Sequence, residues 1–287
     1  MKLYTTMRIL GKKSQIERAW KVAVYIILFA GITILLIPFF WMVSSSLKTY
    51  AEVENMRWWP TTPQWSNYRD ALAAMNFWIA LKNTCIITFL CIIGQVFSAA
   101  LVAYGFARLR FPFRDVIFII VLATMMIPYQ VTMIPLFVEF KALGWIDTFY
   151  PLIVPAFFGG GPFFIFLLRQ FFMTIPTSLD DAAKMDGCGF FGTFWRIILP
   201  LSKPALITIA IFSFMWNWNA FIGPLIYLNS PEKKTLALAL QDFNSLYAQQ
   251  PHLMMAASLI IMLPCLIIFF VAQRYFIRGI VITGVKG

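Results

Sequence analysis

The side chains that could do chemistry in this chain fall into an uncharged group and a charged one. Ser213, Trp216, Asn217 and Ala220 recur at spacings of three and four, which places them on one face of a helix. Hydroxyl, amide and indole groups can hydrogen-bond and stack against a neutral polar solute such as a sugar without presenting net charge. Asn219 is rotated by about 200° from Asn217, so the two cannot look into one path. Ser213 lies one turn from Asn217, and that pairing favours Asn217. Gln130 stands beside Pro128, where a proline-broken helix frees carbonyls that must face protein or water. Thr84, Thr88, Cys91, Gln95 and Ser98 form a further weakly polar stripe, suited first to helix packing and second to lining a pathway.

The charged group is concentrated in Ser178-Leu-Asp-Asp-Ala-Ala-Lys-Met-Asp-Gly187. Pro176 marks an entry, and Ser178 with Asp181 three residues on has the spacing of a capping box. Asp180 and Asp181 complement the positive end of a helix dipole, and Gly187 suits the left-handed residue that ends a helix. The pattern predicts a two-turn helix from Leu179 to Asp186, too short to stand alone in water. Ala182, Ala183 and Gly187 leave its surface low enough for another protein to approach closely. A second segment, Phe190 to Leu199, carries Phe191, Phe194, Trp195 and Ile198 as braces and stops at Pro200.

Other chemistry is poorly provided for. Asp115, Asp180, Asp181 and Asp186 are the acid–base candidates of a membrane-embedded lipid-modifying enzyme, but the helix pattern already accounts for three of them. His252 is the single histidine, and Cys85, Cys91, Cys188 and Cys265 have neither metal-site nor disulfide-framework spacing. Gly11-Lys12 lacks the earlier glycine of a nucleotide-binding phosphate loop.

These residues must be positioned by elements of an unusual solvent class. The chain is 61% hydrophobic and 12% charged, against roughly 25% charged in soluble domains. A membrane-crossing helix needs about 20 apolar residues. Six stretches qualify, Val22 to Ser45, Cys85 to Ala107, Val116 to Val138, Phe149 to Leu168, Ala205 to Leu228 and Leu253 to Ala272, and none holds Asp, Glu, Lys, Arg or His. An all-α integral membrane protein is predicted. The N-terminal segment, the loop at Arg108 to Arg114, the stretch from Arg169 to Lys203 and the tail from Arg274 carry 16 Lys or Arg and 5 Asp or Glu, whereas the other loops carry 7 of each. Both termini are therefore expected on the cytoplasmic face of the plasma membrane, and the net charge of +11 calls for no nucleic acid. The first apolar run is too long for a cleaved signal peptide. Trp58, Trp59 and Trp65 lie in the first external loop, as headgroup anchors or as a docking surface.

The spans also lack the ionisable groups that ion-coupled carriers place in the membrane, so a secondary carrier is disfavoured and energy must come from another polypeptide. Asp181-Ala-Ala-Lys-Met-Asp-Gly187, followed by Phe194, Leu199-Pro200 and Pro204, resembles the Glu-Ala-Ala-x-x-x-Gly signature of permease subunits of bacterial ABC importers. Trp216-Asn217 with Phe221 and Pro224, Met126-Ile-Pro128 with Ile134-Pro135, and the ending Gln273-Arg-Tyr-Phe276 to Lys286-Gly287 resemble the smaller maltose-type, carbohydrate branch. Asp181 departs from the usual Glu, and Cys188 from a common Ala.

The resemblance implies a MetI-like type I importer permease fold with a cytoplasmic coupling helix between the fourth and fifth spans. It implies three regions: 1–78, with the first helix and external loop; 79–274, the permease core; and 275–287, a cytoplasmic tail. Asp181, Ala182, Ala183, Asp186 and Gly187 are expected to contact an ATPase, with the tail from Ile280 as a lesser contact. Ser213, Trp216, Asn217 and Gln130 are expected along the solute path. The implied partners are a second homologous permease, two ABC ATPase subunits that bind ATP and Mg, an extracytoplasmic solute-binding protein and a carbohydrate. No catalytic residue or metal site is expected in this chain.

Overall fold

The computed structural model describes the backbone of residues 2–245 and 248–281, and the side chains of residues 18, 20–244 and 249–273. The end of the tail, 282–287, lies outside the described residues, as do the side chains from 274 onward. Apart from two strands of two residues each, the regular structure of the described residues is helical. The chain divides into two compact units, Met1–Ala71 with Ala248–Leu259, and Leu72–Tyr247 with Ile260–Gly287.

In the first unit α1 spans Lys2–Ser46, continuous through Pro38. The short α2, Tyr50–Glu54, is started by a capping box in which Thr49 accepts from the Glu52 N–H and Glu52 accepts from the Thr49 N–H. Glu52 also accepts from the Thr61 N–H at 2.8 Å. Hydrogen bonds from Thr61 and Thr49 hold its carboxyl down to about 2. Trp58 and Trp59 meet Trp41 and Phe40 of α1 edge-on at 5.3 and 5.0 Å. On α3, Ser66–Ala74, Asn67 donates to the carbonyls of Ser46 and Lys48 and so closes the loop onto the end of α1.

The second unit is organised around α4, Phe77–Arg108. Beyond it come α5, Arg114–Ala123, and α6, Tyr129–Ala142, joined through a 3-10 turn and bent by 96°. The bend falls where Pro128 withholds its N–H, so the third apolar stretch is not one straight helix. Next, α7 at Tyr150–Ile153 and α8 at Pro162–Thr174 flank Gly159, Gly160 and Gly161, whose φ angles are +88°, +67° and +103°. Three left-handed residues in a row cannot continue a helix, and Pro162 restarts it as its first residue.

The short α9, Ser178–Met185, and α10, Phe190–Thr193, follow. A π turn at Phe194–Ile198 leads into α11, Leu199–Leu201. After a 78° bend, α12 runs over Lys203–Trp218. The fifth apolar stretch is likewise broken, because α12 ends at Trp218 and α13, Ile222–Tyr227, begins four residues later. The chain closes with α14, Leu236–Ala239, and α15, Pro251–Val281. Among the described residues, four helices are long and apolar enough to cross a membrane, or up to six if each bent pair crosses as one.

Small residues on α4 let its neighbours come close. Ser98 donates to the carbonyl of Ala156 at 2.9 Å, and Cys91 donates to that of Leu152 at 3.2 Å. Thr84 accepts from the Leu236 N–H at 2.9 Å. Most of the weakly polar stripe is therefore used for packing, as small and hydroxyl residues are in membrane bundles. Gly160 is pressed so tightly that an added Cβ would lie 2.3 Å from the Gln95 carbonyl oxygen. Phe164, Leu168, Phe172, Phe194, Ile198 and Ile209 complete a core with no or almost no exposure.

At the far end of α4, Asn83 donates to the carbonyls of Glu232 and Lys234. Nearby, Asp147 at φ +60° accepts from the N–H groups of Asn229 and Ser230, from the Ser230 hydroxyl and from Lys233 Nζ. The Ser230 hydroxyl and the Ser230 and Asn229 N–H groups push its carboxyl far below the usual carboxylate range.

Candidate functional site

The expected short helix is present over Ser178–Met185, one residue earlier than its sequence pattern suggests. Ser178 is not its cap. The helix starts at Thr177, whose carbonyl accepts from the N–H groups of Asp180 and Asp181, and no side chain caps it. With Ser178 inside the first turn, its hydroxyl is displaced from the capping position. The other end matches the expected stop. Cys188 N–H donates to Ala183, Gly187 N–H donates to Lys184, and Gly187 takes φ +78°. These two bonds and the left-handed residue form a Schellman motif.

Four of the five residues singled out on this helix face outward. Asp181, Ala182, Asp186 and Gly187 are exposed, and Lys184 pairs with Asp181 at 3.5 Å. Ala183 turns inward and is 3% exposed. Asp180, read from the sequence only as a dipole partner, faces inward as well. Its Oδ2 lies 3.0 Å from Arg108 Nη1, with the two side chains only 14% and 5% exposed.

Arg108 makes more of this junction than its charge alone foretells. Its Nη2 donates to the carbonyls of Phe172 and Ile175, at 2.7 and 2.6 Å, where α8 ends. One turn earlier on α4, the Tyr104 hydroxyl donates to the Phe190 carbonyl at 3.1 Å. Beside them Arg169 stacks on Phe118 and reaches Asp115, whose carboxyl is held below its ordinary range, chiefly by the Arg114 hydrogen bond. The bracing segment works through one face only. Phe194 and Ile198 are fully buried, whereas Phe191 and Trp195 are exposed.

The uncharged group assembles in part. The fully buried Ser213 donates its hydroxyl to Gln95 Oε1 at 2.6 Å, and Asn217 Nδ2 approaches the same oxygen at 3.2 Å. Asn217 also donates to the Ser213 carbonyl at 2.7 Å. Trp216 is 53% exposed and stacks on Phe164 with centroids 5.0 Å apart. Asn219 is exposed on another face and donates back to the Met215 carbonyl. Gln130 is exposed in the first turn of α6 and forms none of these bonds. Of the four expected path residues, Trp216 offers an open aromatic surface and half-buried Asn217 an amide, while Ser213 is committed to Gln95.

A helical bundle with uncharged polar groups inside it and a short, outward-facing helix at the Arg108 end of α4 suits a membrane transport subunit. Residues 95–282 match the model of the binding-protein-dependent transport system inner membrane component family, and the chain belongs to that family. It is 35% identical over 266 residues to the probable starch degradation products transport system permease protein AmyC of Thermoanaerobacterium thermosulfurigenes, covering 91% of this chain and 97% of that one. The arabinooligosaccharides transport system permease protein AraQ of Bacillus subtilis is 34% identical over 257 residues, covering 88% and 91%. Among solved structures, a bacterial ABC transporter involved in the import of the acidic polysaccharide alginate superposes with a TM-score of 0.78 at 25% identity, covering 90% of this chain and 97% of that one. The chain is thus a permease component and not an enzyme, which removes the lipid-modifying and ion-coupled alternatives.

Proposed function

We propose that this permease imports a sugar or oligosaccharide by alternating access, driven by ATP hydrolysis in separate subunits. In this reading six spans cross the membrane with both termini cytoplasmic, and residues 79–274 form the transporting core. A second, homologous permease completes the pathway, two ATPase subunits bind ATP and Mg, and a solute-binding protein delivers the cargo outside. The coupling helix is α9, and its outward residues Asp181, Ala182, Asp186 and Gly187 enter a cleft of the ATPase. Trp216 and Asn217 meet the solute transiently.

The observation that carries this reading is α9 itself. It is a two-turn helix, unstable in isolation, held to an apolar bundle with its small and acidic residues facing out. An anionic membrane surface would repel Asp181 and Asp186, whereas a basic protein cleft would accept them.

The test compares Gly187→Trp with Gly187→Asn. Asparagine tolerates the left-handed conformation and keeps the turn, whereas tryptophan adds bulk in open space. The tryptophan variant is expected to lose co-purification of the ATPase subunits and solute uptake, and the asparagine variant to retain both. Retention of both by the tryptophan variant sinks the reading. Uptake of labelled oligosaccharides derived from starch, arabinan and chitin then assigns the cargo class.

A further inference from the structure

Resting on the reading of α9 as the coupling helix, we propose that Arg108 is a positioning residue that makes α9 and the adjoining ends of α4 and α8 move as one body. Three observations carry the proposal. The first is that α9 and the start of α10 are each held from α4. Asp180 in its first turn is held by Arg108, and Phe190, just past Gly187, is held through its carbonyl by Tyr104. Tyr104 and Arg108 stand one turn apart on the same face of α4. One stripe of a single span thus holds the first turn of the short helix and the start of the helix that follows it.

The second observation is that little else fills the space between those grips. A cavity of about 840 Å³ is lined by Tyr104, Arg108, Arg110, Asp180, Asp181 and Lys184 among others. Ala183 is the only residue of α9 that is buried. A helix not packed flush against its support transmits displacement through its fixed points, and here those points are polar.

The third is that the Arg108–Asp180 pair is an expensive way to obtain stability. Two nearly buried charges lose their hydration, and apolar replacements of such pairs are often as stable. The pair is also incompletely satisfied, because Arg108 Nε and Asp180 Oδ1 are buried without a hydrogen-bond partner. What a guanidinium supplies that an apolar side chain cannot is direction: its planar fork fixes Asp180 with one nitrogen and two carbonyls at the end of α8 with another. That geometry links three elements at one atom group.

The test uses the assembled importer, with its partner permease and ATPase subunits, on a cysteine-free background. Spin labels at Lys184→Cys on α9 and Arg110→Cys just beyond α4 report the separation of the two elements. With Arg108 and Asp180 native, the distance is expected to be single and the same in nucleotide-free and ATP–vanadate-trapped states. Asp180→Asn, which keeps shape but removes the charge, is expected to lose that fixed distance, and Asp180→Glu to retain it. A native distance that changes between states overturns the proposal, as does an Asp180→Asn variant that behaves like Asp180→Glu. The native comparison stands even where a variant fails to fold. A merely structural pair would lower the melting temperature of Asp180→Asn without making the separation depend on nucleotide. Failure of the coupling-helix reading shows separately, as ATPase subunits that still co-purify with Gly187→Trp.

Discussion

Replacing Gly160 with alanine should disturb the bundle more than the same change at either neighbouring glycine. All three residues have positive φ, so each alanine pays a conformational penalty of about 1–3 kcal/mol. Only at position 160 does the new Cβ also collide, at 2.3 Å from the Gln95 carbonyl oxygen and 2.9 Å from Ala99 Cβ. Those atoms belong to α4 itself and cannot rotate aside, so the helix must retreat. Overpacking of this kind adds about 1–3 kcal/mol. At Gly161 nothing lies within 4 Å of the Cβ, and at Gly159 its nearest neighbour is Ile165 Cδ1 at 3.9 Å. The expected order of destabilisation is Gly160→Ala well above Gly159→Ala and Gly161→Ala, with a gap of about 1–3 kcal/mol. Equilibrium unfolding in mixed micelles, followed by tryptophan fluorescence, measures it. Because Gln95 also accepts from Ser213 and Asn217, the Gly160 variant should lose uptake as well. Equal losses from all three alanines would refute the close approach of the break to α4.

Three further outcomes are expected. A double-mutant cycle of Gln95→Leu and Ser213→Ala in the same unfolding assay should give a coupling of about 0.5–3 kcal/mol, since the hydroxyl–amide bond is part-buried. Glu52 should titrate by carbon-13 NMR near its folded value of about 2, and Thr61→Ala or Thr49→Ala should move the midpoint upward. Because that folded value is depressed, the stability Glu52 contributes is complete above the ordinary glutamate range and is lost as pH falls through the folded value. Asp147→Asn removes the charge that Lys233 faces and weakens two backbone bonds. Hydrogen exchange at the Asn229 and Ser230 amides should then speed up by the equivalent of about 1–2 kcal/mol.

Much of the fold can be read from composition because the bilayer sets a length for each apolar run. Val22 to Ser45 and Leu253 to Ala272 lie within helices for that reason. A break was legible where the backbone chemistry is local, at Pro128. The same holds for the glycine stop of α9, which needs only a left-handed residue. Its start was misjudged because Thr177 and Ser178 are both competent caps, and sequence spacing alone preferred the second. Pairings across helices left no periodic signal. Ser213 and Asn217 share a face, as their spacing requires, but nothing in α12 indicates that Gln95 of α4 occupies their hydrogen bonds. Arg108 is the first charge after a long apolar run, and read singly it reports only orientation. Its partner Asp180 already had a sufficient local role, so the ion pair between them stayed hidden.

The π turn at Phe194–Ile198 has a mechanical consequence of its own. A π turn holds one more residue than an α turn, with hydrogen bonds reaching five residues along. The wide turn therefore keeps a residue of slack between the segment that follows α9 and the long rod of α12. Tightening it to α geometry would feed that residue forward and swivel everything beyond Leu199 by about 100°. Phe194 and Ile198, both sealed in the core, would have to leave their sockets together for the swivel to occur.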